Sequence, residues 1–140
     1  MKNIYEVFDE FEEASSKSER MNVIQKNLSK TLVQVLELAF HPQYQWLITE
    51  LPENYVLPDT LPGISREQLS LQIRKLYLFR KGEPTAEKLT PEKRNQLLLQ
   101  MLESLEPREA EVVVGIFRKD LGVKGLTYKF VKEAFPNLIP

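Results

Sequence analysis

The chain of 140 residues contains no cysteine. That absence removes a disulfide framework, a cysteine-ligated zinc site, an iron–sulfur cluster and a thiol nucleophile together. There is one histidine, His41, set against Pro42 with no serine pattern around it. Nucleophile-and-base catalysis has little to draw on, and His41 reads as a structural or exposed residue. Phosphate-cradling glycine loops, the HExxH pattern and the calcium loop of EF-hands are missing, so no cofactor or metal is expected and the chain reads as non-catalytic. No apolar run approaches the ~18 residues that span a bilayer, and residues 1–13 are acidic where a signal peptide is basic and then apolar. The expected setting is the cytoplasm. Excess charge of one sign is lacking too, with 19 basic residues against 20 acidic and a net charge of −1. Any nucleic-acid binding must therefore come from a local patch.

What is present is helical patterning over one domain-sized chain, 1–140. Ile4, Tyr5, Phe8 and Phe11 form one stripe, with Glu6, Asp9, Glu10, Glu12 and Glu13 on the wet side and Ser15, Ser16 and Ser18 ending it. Met21, Ile24 and Leu28 mark a second helix, and Leu32, Leu36, Ala39 and Phe40 a third that His41-Pro42 stops. After a short apolar piece, Tyr44 to Leu51, the prolines and glycine of 52–64 read as an irregular surface loop. Ser65 and Gln68 fit a capping box opening a long helix through Leu69, Ile73, Leu76 and Tyr77 that Gly82 ends. Thr90-Pro91 and Pro107 each start a helix, and Phe130, Val131 and Ala134 mark the last. The expectation is an all-α single domain of about seven or eight helices, with Phe40, Tyr44, Trp46, Tyr55, Tyr77, Phe79, Tyr128 and Phe130 in its core.

Charge is unevenly placed. Residues 1–64 carry 5 basic and 10 acidic residues, whereas 65–140 carry 14 and 10. Arg66, Arg74, Lys75, Arg80 and Lys81 cluster in one segment, and Arg118, Lys119, Lys124, Lys129 and Lys132 in another. On a shared face the two would neutralise several phosphates, and on separate faces they are solvated charges of two amphipathic helices. The run Leu121-Gly122-Val123-Lys124-Gly125-Leu126-Thr127 places two glycines around a lysine just before a helix. A helix start offers free N–H groups to an anion, and equally the glycines serve a turn that needs positive φ.

The series Phe117-Arg118-Lys119-Asp120-Leu121, Gly125, Lys129, Ala134-Phe135-Pro136 and Leu138-Ile139-Pro140 resembles the end of the N-terminal DNA-binding domain of ATP-dependent DNA ligases from T-even-type bacteriophages. Upstream, Gln25-Lys26-Asn27, the helix at 31–40, the Tyr44-to-Pro52 piece and Phe79-Arg80-Lys81 follow in the same order. The chain also looks like small stand-alone phage proteins that end in the same manner. The resemblance implies an all-helical domain gripping duplex DNA by its backbone across the minor groove, with Arg118, Lys119, Lys124, Gly125, Thr127 and Lys129 facing the DNA. Arg74, Lys75, Arg80 and Lys81 join this set on charge. A ligase carries a Lys-x-Asp-Gly adenylation motif; this chain has only Lys119-Asp120-Leu121-Gly122, in the wrong order, so ligation is not expected of it.

The leading expectation is a non-enzymatic, monomeric DNA-binding accessory protein acting on duplex or nicked DNA in phage replication, recombination or repair, in the cytoplasm of an infected bacterial host. The alternative is a protein-interaction module for a host or phage replication or transcription protein or a virion component, in which Asp9, Glu10, Glu12 and Glu13 meet a basic surface. An enzyme with an unrecognised site is the third class.

Overall fold

The periodic apolar positions materialise as helix in the computed structural model, which describes residues 2–48, 51 and 68–140. In chain order the described elements are α1 (Ile4–Glu13), α2 (Lys17–Lys26), α3 (Lys30–Phe40), α4 (Leu69–Gln72), a 3-10 helix (Ile73–Phe79), α5 (Pro84–Lys88), α6 (Pro91–Ser104), α7 (Pro107–Arg118) and α8 (Tyr128–Ala134). The fold is all-α, and no strand occurs among the described residues; Trp46 and Arg80 form an isolated antiparallel bridge. Local chemistry sets the starts. Ser16, Ser29, Thr90 and Thr127 each accept a hydrogen bond from the backbone N–H three residues on, meeting donors that a helix start leaves free.

The core is organised around α7. Val112, Val113, Val114, Gly115, Ile116 and Phe117 are consecutive and all buried, so the middle of this helix has no wet side. Helices α1, α3 and α6 pack against it. Phe79 and Trp46 meet Phe117 edge-on, with ring centroids 5.5 and 5.0 Å away. One cluster of buried side chains includes residues of every α-helix except the short α5.

At the end of α7 the chain turns back over Gly115. The N–H of Asp120 donates to Gly115 O at 3.0 Å, and Lys119 takes the left-handed conformation, φ 59°. That region normally favours glycine, and a lysine there costs about 1 kcal/mol. Its side chain supplies the compensation. Lys119 Nζ donates to the carbonyls of Leu38 and His41 at 2.9 and 2.8 Å, capping the C-terminal end of α3 where carbonyls lack partners and a cation is favoured.

Several expectations change. The long helix foreseen from Ser65 is one α turn followed by a seven-residue 3-10 helix. Its buried positions Leu69, Gln72, Ile73, Leu76 and Phe79 run mostly at intervals of three, and over two turns a period of 3.0 reads like one of 3.6. Gln68 caps α4 without a side-chain bond. Ser65, the loop at 52–64, Arg66 and Tyr55 lie outside the described residues. Helix α5 was not foreseen; Pro84 sits in its first turn, and Glu87 accepts from Gly82 N at 3.0 Å. The piece after His41 is extended, with Leu47 N donating to Phe79 O at 2.7 Å and Lys81 N to Gln45 O at 2.8 Å. Leu28, expected on the apolar stripe of α2, is 52% exposed.

Gly115 yields a sharp test. A Cβ there would stand 3.0 Å from Leu121 Cα and 3.1 Å from Asp120 O, both backbone atoms that cannot swing aside. Helix propensity alone makes Gly115→Ala stabilising by about 1 kcal/mol. The expected outcome in urea denaturation is a loss of about 1–3 kcal/mol instead, from overpacking of the turn.

Candidate nucleic-acid interface

A 3-10 helix has three residues per turn, so side chains three apart stack in rows along it. Ile73, Leu76 and Phe79 form the row facing the core, 5%, 2% and 0% exposed. The next row is Arg74 and Tyr77, and the third is Lys75 and Leu78; Arg80, which ends the helix with extended backbone, and Lys81 follow. One winding thus buries an apolar line and presents a basic, aromatic one beside it. Arg74, Tyr77 and Arg80 line a cavity of about 300 Å³ whose other walls include Tyr44, Trp46 and Glu37. Its parts are fixed from both sides. Tyr44 donates its hydroxyl to Glu37 Oε1 at 2.7 Å, a bond that, with burial, holds the phenol above its ordinary range. The Arg80 guanidinium lies 4.3 Å from the centre of the Tyr44 ring.

Arg74, Lys75 and Lys81 are exposed and Arg80 is half-buried. No ion pair among the described residues engages any of the four, and the segment 68–82 contains no acidic residue. Tyr77, expected in the core, is 47% exposed, and Trp46 and Tyr44 are half-buried cavity walls. Their place was missed because a 3.6-residue pattern assigns Tyr77 to the face of Ile73.

The residues carried by the resemblance are placed differently. Arg118 is exposed at the end of α7. Lys119 leaves the candidate set, since its ammonium is bound to the two α3 carbonyls. Burial pushes it down to about 8, so it stays charged at neutral pH in that structural role. The glycine turn holds positive φ at both Gly122 (69°) and Gly125 (87°). A Cβ on Gly125 would meet Arg20 Nε at 3.3 Å and Phe11 Cε1 at 3.5 Å, so the turn is packed onto α1 and α2. Its Lys124 N–H already donates to Glu12 Oε2 at 3.0 Å, which places a carboxylate where a phosphate would bind. Thr127 caps α8 through Phe130 N. Lys124 and Lys129 have exposed side chains, yet neither lines the cavity of Arg74 and Arg80. The two basic segments do not meet in one pocket.

The terminal series has a structural task. Lys132 Nζ donates to the carbonyls of Pro136 and Ile139, at 2.6 and 2.9 Å, and the Tyr128 hydroxyl donates to Pro140 O. Ile139 is 3% exposed. The final prolines and aliphatics fasten the end of the chain to α8.

Much of the acidic face is matched within the chain as well, Glu13 staying exposed. Arg108 donates two bonds to Asp9, at 2.6 and 2.7 Å, and holds that carboxyl below its usual range. Lys2 and Lys26 both pair with Glu10, which is drawn down to about 2. His41 Nδ1 accepts from Gln43 N at 3.0 Å, a structural use. No cluster of three or more His, Asp or Glu among the described residues can hold a metal ion, and no helix there is long and apolar enough to cross a membrane.

A second cavity, of about 350 Å³, lies where the starts of α1, α3, α4 and α7 converge. Glu109 on its wall is 6% exposed, with Oε2 lacking any partner. Burial and the neighbouring Glu106 push it up to about 7 against an ordinary 4.5. Between pH 4.5 and 7 the folded state therefore binds more protons than the unfolded one, so stability falls as pH rises through that window. Glu109→Gln removes the penalty. Relative to the unaltered protein it gains about 1–3 kcal/mol on going from pH 5 to pH 8, read as the change in urea midpoint at each pH.

A family model described as "Family of unknown function (DUF6433)" matches residues 7–123. No curated protein matches the chain.

Proposed function

The chain belongs to that family, DUF6433, and we propose that it is a non-enzymatic DNA-binding protein that contacts duplex or nicked DNA through its phosphate backbone. The observation that carries this reading is the segment 74–81, where Arg74, Lys75, Arg80 and Lys81 project with no ion-pair partner among the described residues, in a chain whose total charge is only −1. Phosphate contacts of this kind position a protein on DNA without reading sequence. Arg118, Lys124 and Lys129 are a secondary set, because Glu12 and Glu133 lie close to the α8 end. On the resemblance to phage ligase domains, the proposed setting is bacteriophage DNA replication, recombination or repair, by a monomer in the cytoplasm of the infected host. The protein-interaction reading draws on Asp9, Glu10, Glu12 and Glu13; the first three are engaged within the chain, and Glu13 is exposed.

Fluorescence anisotropy with labelled intact duplex, nicked duplex, single-stranded DNA and RNA duplex tests the proposal. Duplex and nicked DNA should bind with a log–log salt slope of about −3, the value for three or four neutralised phosphates. Arg74→Glu combined with Lys81→Glu should weaken binding at least tenfold and flatten the slope by about 2 units, whereas Lys124→Glu with Lys129→Glu should cost less. Absence of binding at low salt by the folded protein overturns the reading.

A further inference from the structure

The cavity beside Arg74, Tyr77 and Arg80 is more than a phosphate contact. Two guanidiniums suit a phosphate, Arg80 already covers the Tyr44 ring, and Tyr77 at 47% exposure is a free aromatic face next to both. Glu37 and Gln34 add acceptor and amide groups on the same wall. The indole N–H of Trp46, another lining residue, is sealed from solvent with no acceptor. Such an unmet buried donor is uncommon. A bare phosphate or carboxylate would satisfy the arginines and leave the aromatic face unused. A nucleotide meets both, because its base has a flat face for Tyr77 and its phosphate suits the arginines.

We infer that this cavity binds one unpaired nucleotide, with its base against Tyr77 and its phosphate between Arg74 and Arg80. At about 300 Å³ the space has room for a single nucleotide and no more. The inference deepens the DNA-binding reading, on which its choice of a strand-borne nucleotide rests; a free nucleotide has the same chemistry.

Trp46 is the only tryptophan of the chain, so its emission reports this cavity directly. The full chain is titrated with a short oligothymidylate, an abasic strand of the same length, thymidine monophosphate and inorganic phosphate, in parallel with duplex anisotropy. Saturable quenching by oligothymidylate but not by the abasic strand, weakened roughly tenfold in both Arg74→Ala and Tyr77→Ala, is the expected result. Both substituted positions are exposed, and circular dichroism of each variant checks that the helical fold is kept. Equal quenching by the monophosphate at the same concentration keeps the ligand and names the free nucleotide as its source. Equal quenching by the abasic strand or inorganic phosphate overturns the proposal in favour of a plain anion site. Duplex binding with no quenching by any single-stranded probe overturns the pocket and leaves the DNA-binding reading standing, while silence in both assays overturns both.

Discussion

A helix with no wet side in its middle has to be covered all round, and α7 imposes that condition on the whole chain. Six consecutive buried residues, Val112 to Phe117, oblige α1, α3 and α6 to wrap it and bring the 3-10 helix and the Trp46 segment onto Phe117. The end of α7 then follows from the absence of a side chain at Gly115, which lets the chain fold back and drop Lys119 onto the carbonyls at the end of α3. Packing fixes the frame, and the wall of the Arg74–Arg80 cavity is mounted on it. The edge-on contacts of Phe117 with Trp46 and Phe79 hold the two elements between which the cavity opens.

Helices with a strong apolar stripe and a side-chain cap were legible from residues alone. Thr90-Pro91 and Thr127 mark the starts of α6 and α8, and His41-Pro42 marks the end of α3, because caps and prolines act over one or two bonds. The winding of residues 73–79 was not legible. Whether that stretch runs at 3.0 or 3.6 residues per turn depends on Phe79 reaching Phe117 and on the chain arriving at Arg80 in register with Trp46, both tertiary facts. Helix α5 is too short to carry a periodic signal, and only Pro84 hinted at it.

The site was half visible for a related reason. Composition located the unpaired cations at 74–81, since charge clustering needs no three-dimensional knowledge. It did not show that Glu12 comes to the Lys124 backbone or that Lys119 turns inward to the end of α3. The Ala-Phe-Pro and Leu-Ile-Pro series stood out for its unusual composition, and its visible work is to tie the end of the chain to Lys132 and Tyr128. A distinctive motif and a binding motif look alike in one dimension.

The tight winding of the 3-10 helix also sets a length. Seven residues rising about 2.0 Å each extend about 14 Å, where an α-helix of the same residues would extend about 10.5 Å. The far end is tied by the bonds from Leu47 to Phe79 and from Lys81 to Gln45. The segment is therefore a strut of fixed span. Relaxing it to the ordinary helix would shorten it by about 3.5 Å and turn Tyr77 out of line with Arg74. Residues that lock the strut, such as Leu76 beneath it, thus govern the spacing of the two guanidiniums without touching whatever lies between them.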